Sequence, residues 1–265
     1  MLELFGKAAA APLAILFPAL FISLTWLGLI FVRPFLRLLL SRQKGINELV
    51  GHASAGFSLL YGLLLGLLSV AAFDNNARIN SAVQRESASI ALLYRGAASY
   101  EEPLRSELKY LLRDYTFYVI ERDWPAQQNG FVPTAGASRL DVIRDLMLKF
   151  EPKSHSDEIL QEQLLGHFNG LLEARVERIS GVDLRIPGVF WYVVIIGAII
   201  QIVLIWILDM RFFTQMLLGG LVAFFLGVMF FLIYALDEPL QGAVAISPTN
   251  FQQVYETFMR LDDAR

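Results

Sequence analysis

The chain has 265 residues, of which 55% are hydrophobic and 18% charged, and its net charge is −3. A weakly acidic balance without a basic cluster argues against nucleic acid as a partner. The lack of cysteine excludes disulfides, thiolate metal sites and a cysteine nucleophile. The hydrophobic fraction exceeds that of ordinary soluble domains, so the composition favours a membrane protein.

Hydrophobic residues concentrate in four segments, each long enough to cross the hydrocarbon core of a bilayer as a helix. The segments are 8–32, 52–73, 189–208 and 213–236. The first runs through Trp26 to Val32, which is longer than the core of a cleaved signal peptide, so we expect it to be retained. The sequence therefore predicts an all-α, multi-pass protein of the plasma (inner) membrane, with four transmembrane helices in contact with the lipid bilayer.

A polar insert separates the second and third spans. It carries 14 Lys and Arg against 17 Asp and Glu, so it is close to neutral. Ile79, Val83 and Ile90 continue the second span at helical spacing, which predicts one helix over 59–96. A loop is expected where the Pro- and Gly-containing segment "WPAQQNGFVPTAGAS" begins. The predicted organisation is transmembrane helix 1 with a basic extension (8–40), transmembrane helix 2 (52–73), a helical extramembrane domain (74–188), transmembrane helices 3 (189–208) and 4 (213–236), and a C-terminal tail (237–265).

Loop charges give a prediction of sidedness. The loop 33–50 carries four Lys and Arg against one Glu, whereas the tail after Leu236 carries two arginines against five acids. The positive-inside rule places the first loop in the cytoplasm, and hence both termini and the insert on the outer side. Arginines at both ends of the insert, such as Arg78 and Arg175, favour the opposite orientation.

Catalytic chemistry finds little support in the chain. The three histidines, His52, His155 and His167, are isolated from one another, and no phosphate-binding loop or hydrolase motif occurs. We expect no catalytic residue, no metal site and no cofactor. The spans 52–73 and 213–236 contain no Asp, Glu, Lys or Arg, which disfavours a proton-coupled carrier. Gln201, in the third span, either bonds across helices or lines a pore.

Span two carries small residues at helical spacing. Gly62 and Gly66 form a G-x-x-x-G pattern, which lets two helices approach closely. The same face either packs against another helix or lines a narrow pore, which Leu59, Leu63 and Phe73 would constrict and gate by dewetting. The candidate pore-lining or helix-packing residues are Ala55, Ser58, Leu59, Gly62, Leu63, Gly66, Ser69 and Phe73.

Polar residues follow directly where span two ends. Asp74, Asn75 and Asn76 either solvate a helix that leaves the bilayer or form a ring of carboxylates and amides at a pore mouth, which would attract cations. A subunit with four spans has too few helices to enclose a pore, so conduction requires a homo-oligomeric ring. Inorganic ions would then be its ligands.

Three stretches resemble the bestrophin-like family of bacterial and plant membrane proteins. They are "GHASAGFSLLYGLLLGLLSVAAF" running into "VQRESASIALLYRGA", then "PLRSELKYLLRDYTFYVIERDWP", and finally "LDEPLQG" followed by "SPTNF". The resemblance covers about 50–258, and it departs from the family pattern after His52, where Ala53-Ser54 replace an acidic residue and Asn. The family's C-terminal motif falls on Leu236, Asp237, Pro239, Gly242, Ser247, Pro248 and Phe251.

The resemblance implies kinship with the bestrophins, which are oligomeric anion channels, by analogy at the level of the fold. No bestrophin pore residue is carried over, because no such motif occurs at a matching position. Our leading hypothesis is an oligomeric ion channel or pore, anion-selective by this analogy or cation-selective by Asp74. The alternative is a non-conducting membrane sensor or scaffold that binds a ligand or protein through 74–188. The tail is interpreted as a clasp on the insert, with a gating plug as the alternative.

Overall fold

The structure, a computed structural model, describes residues 10–40, 45–241 and 244–260. These residues are mostly helical, and no strand occurs among them. Four helices within them are long and apolar enough to cross a membrane, and a larger helical segment lies between the second and third. The predicted fold class is therefore confirmed. Gly242, a residue of the C-terminal motif, lies outside the described residues.

The described residues form two compact units. The first, the spanning unit, comprises the described residues up to Asp74 together with Arg185–Asp237. The second, the insert unit, comprises Asn75–Leu184 and the described residues from Glu238 onwards.

The spanning unit contains the helices α1 (Ala10–Phe31), α2 (Arg33–Leu40), the first part of α3 (Ile46–Gly96), α8 (Gly188–Ile207) and α9 (Phe212–Asp237). Its buried core includes Phe21, Tyr61 and Phe230, and the rings of Phe21 and Phe230 lie 4.7 Å apart. Most other large apolar side chains of these helices are exposed, such as Leu217 at 73%. An outward-facing apolar surface of this kind is expected of helices that face lipid.

Helix α3 runs without interruption from Ile46 to Gly96, so the predicted continuous helix over 59–96 is confirmed. It contains no proline, and its 51 residues correspond to about 76 Å at the usual rise per residue. Within the insert unit, its apolar positions Ile79, Val83 and Ile90 are fully buried. They lie at the helical spacing that identifies one face of a helix.

The rest of the insert unit consists of α4 (Leu104–Tyr118), a π-helical turn (Val119–Asp123), α5 (Trp124–Gln128), α6 (Ala135–Leu148), α7 (His155–Ser180) and α10 (Thr249–Val254). The loop expected to begin at Trp124 was predicted wrongly. The helix continues to Gln128 because Trp124 is 2% exposed and anchors the turn in the core. Pro125 is tolerated there as a first-turn residue.

The C-terminal tail belongs to the core of the insert unit. Leu240, Phe251 and Met259 are all buried in that core. The Ile246 amide donates to the Pro239 carbonyl at 2.8 Å, which closes the turn after α9. This packing confirms the interpretation of the tail as a clasp on the insert.

Candidate functional site

One face of α3 in the spanning unit has no partner among the described residues. Tyr61, Leu65 and Ala72 point into the core and are at most 5% exposed. On the opposite side, Leu59 is 75% exposed and Phe73 is 60% exposed. Among the other candidates of span two, Ala55, Ser58, Gly62 and Leu63 are also exposed, and Gly66 and Ser69 are half-buried.

Glycines of the spanning unit differ in what surrounds them. A Cβ atom built at Gly62 or Gly66 meets no atom of the described residues within 4 Å beyond the backbone of its own helix. By contrast, a Cβ atom at Gly197 would lie 2.2 Å from a tyrosine ring of α3, and one at Gly227 would lie 2.4 Å from the Cα atom of Pro18. Gly197 and Gly227 therefore serve close packing inside the chain, whereas no side chain of the described residues packs against Gly62 or Gly66 of α3.

The two serines among the candidates make hydrogen bonds. The Ser58 hydroxyl donates to Oε1 of Gln201 at 3.0 Å, and the Ser69 hydroxyl donates to the Leu65 carbonyl at 2.8 Å. Gln201 is 5% exposed. Of the two roles considered for Gln201, the bond across helices is thus the one observed. This bond ties α3 to α8.

The polar residues after span two, Asp74, Asn75 and Asn76, lie within a single turn of α3. The boundary between the two units falls after Asp74. The Asp74 side chain is exposed, while Asn75 and Asn76 are half-buried. Nδ2 of Asn76 has no hydrogen-bond partner among the described residues. Their role at a pore mouth stays a prediction.

Residues of the C-terminal motif have structural partners. Asp237 accepts hydrogen bonds from the Ile186 amide at 2.6 Å and from the Trp191 indole at 3.2 Å, so its carboxylate joins the end of α9 to the start of α8. In the insert unit, Pro248 precedes α10, and Phe251 is fully buried. The remaining motif residues described are Leu236, which is buried, Pro239, whose carbonyl accepts from Ile246, and Ser247, whose hydroxyl contacts Thr249.

The insert unit contains a buried charged network that the sequence analysis missed. Arg178 donates to both oxygens of Glu86, from Nε at 2.6 Å and from Nη2 at 3.0 Å. Nη1 of Arg175 donates to Oδ2 of Asp123 at 2.8 Å and to the Tyr115 hydroxyl at 3.0 Å. Tyr115 in turn donates to Oε1 of Glu86 at 2.6 Å, which joins the two ion pairs. All five side chains are at least 95% buried.

Burial and charge together fix the protonation states in this network. Burial, reinforced by the Glu86 carboxylate, raises the pKa of the Tyr115 hydroxyl far above its usual value. Burial alone would lower the pKa of Arg178, but the charge and hydrogen bonds of Glu86 outweigh it and raise that pKa. Tyr115 therefore stays protonated as a donor, and Arg178 stays a cation.

Aromatic rings and a glycine surround the two guanidinium groups. The carbon Cζ of Arg178 lies 5.6 Å from the ring of Trp124 and 5.7 Å from the ring of Phe251. A Cβ atom at Gly136 would lie 2.4 Å from Nη2 of Arg175, so α6 approaches the network closely only because this residue lacks a side chain. Phe251 thus connects the C-terminal motif to the network.

The sequence profile of the bestrophin-like domain matches residues 19–251, which is most of the chain. The chain belongs to the bestrophin-like family. This confirms the resemblance drawn from the three sequence stretches.

Solved structures agree with membership of the bestrophin-like family at the level of the fold. A bacterial bestrophin homolog from Klebsiella pneumoniae, carrying one substitution, has a TM-score of 0.69 at 10% identity, over 94% of this chain and 98% of that one. A crystal structure described as that of a membrane protein gives the same TM-score, identity and shares. No curated protein matches the chain.

The amino-acid sequence of this bestrophin-like chain contains a pattern from which the buried charged network could have been predicted. Glu86 lies three residues after Val83 and four before Ile90, which are buried positions of α3. A charge at a core position of an amphipathic helix indicates a buried partner. Arg175 and Arg178 occupy the corresponding buried face of α7, after Phe168 and Leu171.

Proposed function

We propose that the protein is a subunit of an oligomeric ion channel, in which the exposed face of α3 lines or borders the pore. The observation that carries the proposal is the open surface around Gly62 and Gly66, whereas Gly197 and Gly227 of the spanning unit are tightly packed. Membership of the bestrophin-like family supports the same conclusion. The four spans of one chain are too few to enclose a pore, so several copies must form a ring.

Along α3, the exposed side chains suggest how the pore is shaped. Leu59, Leu63 and Phe73 are each at least 60% exposed. Rings of such apolar side chains close a pore by dewetting, because a narrow apolar passage excludes water. The small residues between them leave wider sections. In this proposal the constrictions lie at the three apolar positions.

The proposal for the pore mouth concerns Asp74, whose side chain is exposed. A ring of Asp74 carboxylates would raise the local concentration of cations and lower that of anions. Kinship with the bestrophins favours anions instead. The reversal potential in a salt gradient distinguishes the two selectivities, and its shift in Asp74→Asn measures the contribution of the ring.

Planar bilayers containing the purified, oligomeric protein provide the test. We expect unitary currents, with a larger conductance in Phe73→Ala and an altered selectivity in Asp74→Asn. Leu221→Ala is the matched control, because Leu221 is 66% exposed on α9 rather than on α3. Absence of currents from oligomeric wild-type protein would contradict the proposal, as would equal changes in the control.

A second function, a non-conducting sensor or scaffold, is favoured by a cavity in the insert unit. The cavity has a volume of about 330 Å³ and is lined mainly by apolar side chains of α6 and α7, with Arg175 at its wall. The apolar lining includes Leu172 of α7 and Val132, which precedes α6. Electrically silent oligomers that bind a small molecule here, and lose it in Leu172→Trp, would favour this function over the channel.

Sidedness of the insert on the outer side of the inner membrane stays a prediction. In the insert unit, Arg175 and Arg178 are buried in ion pairs, and Arg78 pairs with Glu177, so these arginines are engaged within the protein. The wild-type chain contains no cysteine, which permits single-cysteine labelling without background. A cysteine at exposed Lys153 should react with an impermeant maleimide in intact cells if the insert is outside.

A further inference from the structure

Besides Nδ2 of Asn76, three buried polar atoms of the insert unit have no hydrogen-bond partner among the described residues. They are Oδ1 of Asp123, Nε1 of Trp124 and Nε2 of Gln127. The three side chains are 0%, 2% and 1% exposed. Because buried polar side chains nearly always have a partner, three such atoms close together in the sequence require an explanation.

The tryptophans of the chain show how unusual Trp124 is. The Trp26 indole donates to the Met216 carbonyl at 3.1 Å, and the Trp206 indole donates to the Thr25 carbonyl at 3.0 Å. The Trp191 indole donates to Asp237 at 3.2 Å. These are the other three of the four tryptophans. Trp124 is the most deeply buried of them, yet its indole lacks an acceptor within residues 10–40, 45–241 and 244–260.

In Asp123 and Gln127, the second polar atom of the side chain already has a hydrogen bond. Oδ2 of Asp123 accepts from Arg175 at 2.8 Å, and Oε1 of Gln127 accepts from Arg178. Neither side chain can turn its remaining atom towards another protein group without losing a bond to a buried arginine. The unpartnered atoms of Asp123 and Gln127 are therefore fixed in place by the charged network.

Positions 123, 124 and 127 bring these atoms towards one side of the helix. Asp123 and Gln127 are four residues apart, so their Cβ atoms lie about 5–6 Å from each other. Trp124 follows Asp123 at about 100° around the helix axis. The three side chains therefore leave the helix within an arc of about 100°, and each lies against Arg175 or Arg178 of the charged network.

We propose that Asp123, Trp124 and Gln127 form an internal hydration site that holds a water molecule. The set offers one acceptor and two donors, and a water molecule donates to the carboxylate while it accepts from the indole and the amide. Internal waters typically make about three hydrogen bonds to buried groups that otherwise lack partners. The two N–H donors disfavour a metal cation, and the carboxylate disfavours an anion. The site does not depend on whether the protein conducts ions.

Selective labelling of tryptophan indoles with ¹⁵N tests the proposal in the full-length wild-type protein. Rotating-frame NMR separates dipolar transfer from bound water from chemical exchange, because the two give cross peaks of opposite sign. We expect the Trp124 indole proton to show dipolar transfer from a long-lived water. The Trp191 indole, whose acceptor is Asp237, serves as the matched control and should show none.

Assignment of the four indole signals uses Trp26→Phe, Trp191→Phe and Trp206→Phe, each of which removes one signal. The fourth signal belongs to Trp124 even if Trp124→Phe does not fold. A Trp124 signal without dipolar transfer from water would overturn the proposal. An equal transfer at Trp191 would overturn it as well, because the effect would not then be specific to the unpartnered indole.

Discussion

The guanidinium group of Arg178 on α7 makes a bidentate ion pair with Glu86 on α3, and both side chains are completely buried. An arginine fork that meets both carboxylate oxygens fixes orientation as well as distance. The pair therefore sets the register of α3 against α7 inside the insert unit.

Removing one member of the pair should destabilise the protein strongly. In Arg178→Ala the Glu86 carboxylate is left buried without its cation, so we expect the free energy of unfolding to fall by about 3–5 kcal/mol. Arg85→Ala is the matched control, because Arg85 is an exposed arginine that pairs with Glu177. The free energy of unfolding of Arg85→Ala should be lower than that of the wild type by at most about 1 kcal/mol. Chemical denaturation followed by circular dichroism measures both values.

The double variant Glu86→Met/Arg178→Met distinguishes the stability that the ion pair contributes from the cost of leaving one charge buried alone. Apolar side chains of similar size remove both buried charges together, so part of the stability lost in the single variant should return. A double variant that is less stable than Arg178→Ala would contradict this account. It would show that the pair contributes stability well beyond avoiding an isolated charge.

A side chain at Gly136 should destabilise the protein. In Gly136→Ala the new methyl group would lie 2.4 Å from Nη2 of Arg175 and 2.7 Å from Oδ2 of Asp123, so α6 must move away from the network. We expect a loss of about 1–3 kcal/mol in the free energy of unfolding. Gly166→Ala, on α7, meets no atom within 4 Å and should gain up to about 1 kcal/mol from helix propensity. Equal effects of the two substitutions would contradict the observed packing.

Glycines of the spanning unit should respond differently to the same substitution. Gly227→Ala would place a methyl group 2.4 Å from the Pro18 backbone and should lower the thermal unfolding midpoint, because α1 and α9 must separate. Gly62→Ala meets no atom within 4 Å and should leave that midpoint unchanged or raise it. If α3 borders the pore, Gly62→Ala should still alter conductance or assembly. A lowered midpoint for Gly62→Ala would indicate a packing role inside the oligomer instead.

Alkaline pH should destabilise the insert unit through Tyr100. Burial raises the pKa of Tyr100 to about 12, and its hydroxyl donates to Oε1 of Gln161. The folded state then keeps a proton that the unfolded chain releases near pH 10. This contribution is fully present below about pH 10 and is lost as pH rises to about 12, by up to about 3 kcal/mol. Denaturation at a series of pH values measures the slope.

Tyr100→Phe tests this assignment, since it removes the titrating group. Ionisation of buried Tyr115 also destabilises the fold at alkaline pH, so stability should still fall with pH in Tyr100→Phe. The dependence of stability on pH should be steeper in the wild type, by the release of about one more proton on unfolding. Tyr110→Phe is the control, because Tyr110 is 59% exposed, and its slope should match the wild type. Equal slopes for wild type and Tyr100→Phe would contradict the prediction.

Much of the fold could be predicted from local pattern. The four apolar segments and the continuous helix through Phe73 follow from the length and spacing of apolar residues. A clasp formed by the tail was expected, but the burial of Phe251 in the insert core was not. The segment from Trp124 to Gln128 could not be predicted, because Pro125 and its polar neighbours are typical of a loop. Burial of Trp124 in the core overrides that local preference, and burial is a tertiary property.

Sequence alone determined that the chain is an all-helical membrane protein of the bestrophin-like family, since the lengths of the hydrophobic segments and the spacing of the family motifs are local properties of the sequence. Only the tertiary structure decided which glycines pack, because Gly62 and Gly227 look alike in sequence and differ in what lies beside them. It also decided that Glu86, Asp123, Arg175 and Arg178 form one buried network. Partners up to 92 residues apart are brought together by folding, and no local pattern specifies such a pairing.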